Sequence, residues 1–341
     1  MLKKIIIDAM GGDNAPKAVI DGTVQALQEY DDIFVYLVGK KEVIEEHLSG
    51  QEYDSERVEI VDAREEIEMA EPPVNAIRRK KDSSMVVGMK MASEGKGDVF
   101  ITAGSTGAAV SGGYFVIRRA PNVLRPALAP LLPSSKDPFL LVDCGANVDC
   151  KPQFLQQFAV MGSIYMKTVL GKENPRVGLI NNGAEEEKGC SLTKEAYQLL
   201  KETEGINFVG NAEGRDILSG DYDVIVCDGF VGNVLMKFME GTAGFLFGMI
   251  KDELMSSTRT KIGAALAKPA FKNLKKNLDY TEYGGALLLG TKAGLIKAHG
   301  SSNAKAIKNT IRQSRELVEN RTVEKITEEL SKLGDTKAEE E

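Results

Sequence analysis

Small polar residues set beside glycines recur along this chain wherever a short apolar run ends, and they are the groups that can do chemistry. Asp8 is followed by Gly11, Gly12 and Asp13, and Ser105 and Thr106 by Gly107. Asp143 precedes Gly145 and Asn147, Asn181 and Asn182 precede Gly183, and Asp228 precedes Gly229, Gly232 and Asn233. Glycine lets backbone come close to a ligand, while Asp, Asn, Ser and Thr cap helices and shape turns. One such segment is ordinary turn chemistry. Several at one sheet edge make a cleft lined with N–H donors, which suits an anion. Lys80, Lys81, Lys188 and His299 flank these segments and can add positive charge. The chain offers no Ser-His-Asp order, no GxSxG elbow and no GxGxxG fingerprint. His299 reads either as a structural hydrogen-bonder or as a catalytic group. With no evident protein nucleophile, the expected chemistry uses an attacking group from outside.

The elements that must position these residues alternate along the chain. Ile5–Ile7, 33–38, 57–61, Val99–Ile101, Phe139–Val142, Val177–Ile180, 206–209 and Val224–Cys227 are the expected strands, the last a continuous apolar run rich in β-branched residues. Strands covered on both faces read this way. Helical periodicity lies between them, at Ile20, Val24 and Leu27, over 41–48, from Phe154 to Tyr165 and over 192–203. Such alternation predicts an α/β fold with a mostly parallel sheet. The stretch 224–237, VIVCDGFVGNVLMK, is the fullest example: a strand, a glycine turn, then Asn233 as the expected N-cap of a helix to Met255. That helix is apolar and carries Gly241, Gly244 and Gly248, which suits close packing either between subunits or within one. Residues 259–278 mix Ile262, Leu266, Phe271, Leu274 and Leu278 with lysines, and Pro269 is expected to divide two amphipathic helical pieces.

Composition bounds the rest. A chain of 341 residues with 43% hydrophobic and 27% charged content can bury a large core, as one domain or two coupled ones. A formal net charge of -7 argues against general nucleic-acid binding. Cys144, Cys150, Cys190 and Cys227 form no CxxC pair and have only two histidines to assist them, so reduced thiols are expected and a zinc site is not. The opening MLKKIIIDAMGGD lacks the apolar stretch of a signal peptide, and no run approaches the roughly 18 residues of a membrane span. A cytoplasmic protein is the expectation. Residues 334–341 are expected to form a disordered acidic tail after a domain spanning 1–333.

In order, AMGGDNAP, RRKKDSS, DCGAN, EEEKG, DGFVGNVLMK, YGGALLLG and HGSS resemble the bacterial phosphate acyltransferase family, from Ile5 to about Arg321. The resemblance implies transfer of a fatty acyl group from acyl-[acyl-carrier-protein] to inorganic phosphate, giving acyl phosphate for phospholipid synthesis, with no cofactor. It implies a homodimer of three-layer α/β/α subunits of the isocitrate/isopropylmalate-dehydrogenase type, with a cleft between two lobes. A protruding arm at 256–280 would meet either a membrane surface or the acidic carrier, and a downstream glycerol-phosphate acyltransferase is a further partner on this reading. Lys188 and Asn233 are the implied catalytic pair, with Asp228 and Gly229 shaping their pocket. The other motif residues implied to bind substrate or phosphate are Lys81 and Ser83, Ser105 to Gly107, Asn147, His299, and Ser301 with Ser302, besides the Asp8–Asp13 loop. Two positions depart from the family pattern: Ser105 and Cys190 stand where asparagine is usual. The chemistry fits a protein without its own nucleophile, because phosphate attacks and a thiolate of free pKa near ~8.5 leaves readily. The competing readings are a nicotinamide-dependent dehydrogenase on the same fold, which would need a nucleotide fingerprint, and a non-catalytic carrier of anionic lipid precursors.

Overall fold

The computed structural model describes residues 2–277 and 280–333; Leu278 and the expected tail at 334–341 lie outside them. Twelve strands form in chain order: β1 (Lys3–Asp8), β2 (Ile33–Gly39), β3 (Val58–Asp62), β4 (Val99–Thr102), β5 (Ala127–Ala129), β6 (Leu131–Leu132), β7 (Phe139–Val142), β8 (Arg176–Asn181), β9 (Asn207–Glu213), β10 (Val224–Val226), β11 (Ala286–Leu289) and β12 (Gly294–Lys297). They make a seven-stranded sheet in the order β3-β2-β1-β4-β12-β11-β5 and a five-stranded sheet in the order β6-β7-β10-β8-β9. In the first sheet only β11 runs against its neighbours, and in the second only β6 does. Both sheets carry helices on their two faces. The chain therefore adopts the three-layer α/β/α class with mostly parallel sheets.

Strand alternation decides which layer each residue enters. Ile5 and Ile7 join a core that also holds Leu140, Val142, Val177 and Val224, so one apolar layer runs under both sheets. Ile6, Phe100 and Leu295 face the opposite side of the first sheet, while Phe139, Leu141 and Ile225 face the opposite side of the second. The two lobes thus share one core and keep separate outer faces. The helix Pro152–Val169 fills the shared layer, with Phe158, Met161 and Tyr165 fully buried.

Two long helices follow β10. The helix after β10 runs from Gly229 to Leu254, and among its residues only Gly229 and Gly232 are buried. Phe238, Phe245, Leu246 and Met249 are exposed, and nothing lies within 4 Å of where a Cβ at Gly241, Gly244 or Gly248 would stand. The glycines are not serving packing within the subunit. Thr258–Asn277 is a single helix containing Pro269, not two pieces meeting there. The carbonyl that the proline leaves without a donor belongs to Ala265, which is exposed to solvent. Among the described residues no helix is long and apolar enough to cross a membrane.

Candidate active site

The carboxyl ends of β1, β4 and β12 are stitched together by loops that the glycines make possible. Asp8 is buried at the end of β1 and accepts from Thr102 Oγ1 at 2.7 Å and from the Met10 N–H at 3.2 Å. Thr102 Oγ1 in turn accepts from the Gly104 N–H at 3.0 Å. A Cβ on Gly11 would stand 2.5 Å from Asp8 Oδ2 and 2.8 Å from Gly104 N, so only glycine fits there. Gly12 has φ of 109°, the left-handed region that favours glycine. The Asp13 N–H donates to Gly300 O at 2.8 Å, and Asn14 Nδ2 donates to the Ser301 and Ser302 carbonyls. Burial pushes the Asp8 carboxyl up, while hydrogen bonds from Ser84 and Thr102 pull the other way. Asp8 and Gly11 hold the loops in register.

Several expected anion ligands are likewise committed to structure. Ser83 is fully buried, caps the helix Ser84–Ser93 and donates to Lys80 O. Lys81 Nζ donates to Ile77 O, closing the end of its own helix, and Lys80 pairs with Glu71. Ser105 is buried as the N-cap of the helix Thr106–Gly112, and a Cβ on Gly107 would stand 2.6 Å from Pro73 Cγ. Serine can cap that helix as asparagine does, which accounts for the departure at Ser105. Ser302 is buried, whereas the Ser301 N–H and hydroxyl both meet His299 Nδ1, at 3.2 and 2.8 Å. Accepting from a backbone N–H, Nδ1 is unprotonated in the neutral ring, so the imidazole proton sits on Nε2.

In the second lobe the organiser is Asp143, at the end of β7, which leads the turn to Asn147 read from the sequence but is not among the implied site residues. Its carboxylate is buried and accepts from the N–H groups of Leu128 (2.8 Å), Ala146 (3.2 Å) and Asn147 (2.6 Å). Asn147 Nδ2 donates to Pro126 O and Asp143 Oδ2, so this amide braces the loop. The next helix packs end-on against the loop. The Gly229 N–H donates to Asn147 O at 2.7 Å, and a Cβ on Gly232 would stand 1.9 Å from Asp143 O. The N-cap is Asp228, whose carboxylate accepts from the Val231 N–H at 2.9 Å. Asn233 therefore sits in the second turn of the helix and is not its cap. Glycines at 229 and 232 are the reason: they let the helix begin five residues earlier by permitting its first turn to touch the Asp143 loop.

The two lobes face each other across a cleft of about 200 Å³. Thr106, Lys297 and His299 line it from the first lobe, and Cys144, Asn233, Lys237 and Glu240 from the second. Leu128, Leu131, Leu132, Met236 and Tyr283 give it an apolar flank. Asn233 Oδ1 is buried in this wall without a hydrogen-bond partner among the described residues. An unmade bond to a buried polar atom costs about 1–3 kcal/mol, so the protein holds this amide ready for something it does not itself supply. Lys297, absent from the sequence-derived candidates, is buried, its Nζ donating to the Ala103 and Ala298 carbonyls. Desolvation pushes its pKa down to about 8, against the pull of Asp13 and Asp8. Burial pushes the Cys144 thiol well up, so this cleft sulfur is a poor nucleophile.

Lys188 does not line the cleft. It is exposed in the loop after β8, its stem lying against Gly183, and it makes no ion pair among the described residues. Its neighbour Glu186 pairs instead with Lys201 and Gln198, so Lys188 is not there to balance that glutamate. Cys190 is exposed at the start of the helix Ser191–Glu202, where the Thr193 N–H holds its thiol below the usual range. A larger hollow of about 540 Å³ between the helices Pro152–Val169 and Thr322–Lys332 contains none of the strand-end loops, and size alone does not make it the reaction site.

The family model described as "Fatty acid synthesis protein" matches residues 3–325. A "Phosphate acyltransferase" of Clostridium botulinum is 54% identical over 329 residues, covering 96% of this chain and 98% of that protein. One from Clostridium perfringens is 50% identical, covering 96% and 97%. Among solved structures, a phosphotransacetylase from Streptococcus pyogenes aligns with TM-score 0.60 at 14% identity, covering 95% of this chain and 94% of that one. A branched-chain phosphotransacylase from Enterococcus faecalis aligns at 0.55 and 13%, covering 93% and 99%. These structures share the fold. By the family match over nearly its whole length and relatives at half identity or better, the chain belongs to the fatty acid synthesis protein family that includes the phosphate acyltransferases.

Proposed function

We propose that this protein is a phosphate acyltransferase that moves a fatty acyl group from the thioester of an acyl carrier protein to inorganic phosphate. The observation that carries the reading is the unpartnered Asn233 amide in a cleft bounded by Thr106, Lys297 and His299, with an apolar flank for an acyl chain. A phosphate oxygen attacks the thioester carbonyl carbon, the carbon–sulfur bond breaks, and the products are acyl phosphate and the carrier thiol. The proton of the hydrogen phosphate dianion ends on the departing sulfur, so charge and atoms balance. Asn233 donates to the carbonyl oxygen as it gains charge; a half-turn of its amide places Nδ2 where Oδ1 now stands. Thr106 and the His299 imidazole orient the phosphate. Lys188, exposed and without an ion pair among the described residues, is the cation that would steady the phosphate or the leaving thiolate.

The proposed assembly is a homodimer, supported by the bare apolar residues of Gly229–Leu254, which a second copy can cover. The proposed contact with an anionic membrane surface or with the acidic carrier rests on Thr258–Asn277, where Ile262 and Leu266 are exposed among lysines. Direct detection of the product tests the activity. Purified protein with acyl-carrier thioester and radiolabelled phosphate should yield labelled acyl phosphate together with an equal amount of free carrier thiol, and no thiol when phosphate is left out. A free fatty acid formed equally without phosphate would make the protein a thioesterase instead. Intact thioester would favour a carrier without catalysis.

A further inference from the structure

The buried amine at the end of β12 ties down two loop carbonyls and keeps a donor to spare. Lys297 is 7% exposed, and removing an ammonium from water costs several kcal/mol unless its charge is answered. Among the described residues no carboxylate lies within ion-pairing distance of its Nζ. What holds it is two carbonyl oxygens, Ala103 O at 3.3 Å and Ala298 O at 2.5 Å, with Asp8 and Asp13 acting only through their charge. An ammonium has three N–H donors, and these bonds take two. The residue also forms part of the cleft wall beside Thr106 and His299, opposite Asn233. A buried, anchored, carboxylate-free cation facing a cleft is the counterpart of a compact anion.

We propose that Lys297 is the binding cation for inorganic phosphate, donating its third N–H to the dianion. The inference rests on the phosphate acyltransferase reading and names the group that recognises its smaller substrate. The backbone clamp fixes where the anion sits, and a charge-assisted bond in this dry setting is stronger than one to a surface lysine. The groups facing Lys297 are Asp8, Asp13 and His299 on the adjoining loops, with Lys237, Glu240, Tyr283 and Cys144 across the cleft. Because its pKa lies near about 8, the cation and the phosphate affinity it supports should fade as pH rises through that value.

The test separates the two substrates. In Lys297→Gln the KM for phosphate should rise about 10- to 100-fold, the range of one lost charge-assisted bond, while the KM for the acyl donor moves less than about threefold. Phosphate alone should raise the Tm of the wild type and not of the variant. Wild-type phosphate affinity should fall between pH 8 and 10 more steeply than in the variant. A folded variant with its phosphate KM within about threefold of wild type overturns the proposal. If Lys297→Gln does not fold, a flat wild-type phosphate affinity from pH 8 to 10 overturns it equally. Should the wild type form no acyl phosphate yet show a Lys297-dependent Tm rise with phosphate, the activity reading fails and the anion site stands.

Discussion

Replacing Asn233 with alanine should abolish most turnover without weakening the fold. The helix is capped by Asp228, so the roughly 0.5–2 kcal/mol that a lost cap costs is not at stake. Asn233 Oδ1 has no partner to lose, and removing a buried unsatisfied atom returns about 1–3 kcal/mol. Against this stands the packing of the amide against Gly145, where a Cβ would lie 2.8 Å from Nδ2. The two terms nearly cancel, so melting should shift by a few degrees at most, upward if at all. Turnover should fall about 10²- to 10³-fold, as for other lost oxyanion donors. Asp228→Ala provides the contrast, with stability lower by about 0.5–2 kcal/mol. Urea unfolding and thiol-release kinetics on the same preparations supply both quantities. A folded Asn233→Ala variant that keeps more than about a tenth of wild-type turnover, or that loses more than about 2 kcal/mol of stability, would refute the assignment.

Lys188→Ala should leave Tm unchanged, because its ammonium is exposed and makes no ion pair among the described residues, yet lower turnover at least tenfold. Substituting Ile262 and Leu266 with Glu should reduce co-sedimentation with anionic liposomes while soluble activity persists; unchanged sedimentation would remove the arm from membrane contact. Sedimentation at micromolar concentration should show a dimer, and a monomer would leave the apolar face of Gly229–Leu254 unexplained. Asp32 accepts from Arg315 and Lys3, which hold its carboxyl well below the usual carboxylate range. Its contribution is therefore present above the unfolded value near ~3.9 and is lost as pH falls. Asp32→Asn should cost about 1–3 kcal/mol at pH 7, with the gap to wild type closing in acid, as chemical unfolding across pH will show.

The strand ends were legible because each buried strand is a short apolar run broken by glycine beside a polar residue, and periodicity exposes that pattern. Which of those polar residues face a ligand was not. Asp8, Ser83, Ser105 and Asn147 have the same composition as a binding loop, yet Ser83 and Ser105 form local helix caps, Asp8 meets the Thr102 hydroxyl and Asn147 meets Pro126 O. Asn233 reads as a cap because glycines at 229 and 232 look like loop; their closeness to Asp143, some ninety residues earlier, lets the helix start sooner. Lys297 escaped for a similar reason. A lysine after Leu295 and Ile296 reads as a strand's exposed end, and its burial depends on Ala103 and the facing lobe. Pro269 reads as a breaker, and exposure of Ala265 makes its cost bearable.

The claim on which the rest depends is that phosphate, and no side chain of the protein, attacks the thioester. Rapid mixing of stoichiometric protein with acyl-carrier thioester, first without and then with phosphate, measures this directly. The expected result is no free thiol in the first phase and, on adding phosphate, one thiol released for each acyl phosphate formed. A burst of thiol equal to the protein concentration before phosphate is added would show an acyl-enzyme on a protein group, and would contradict the mechanism.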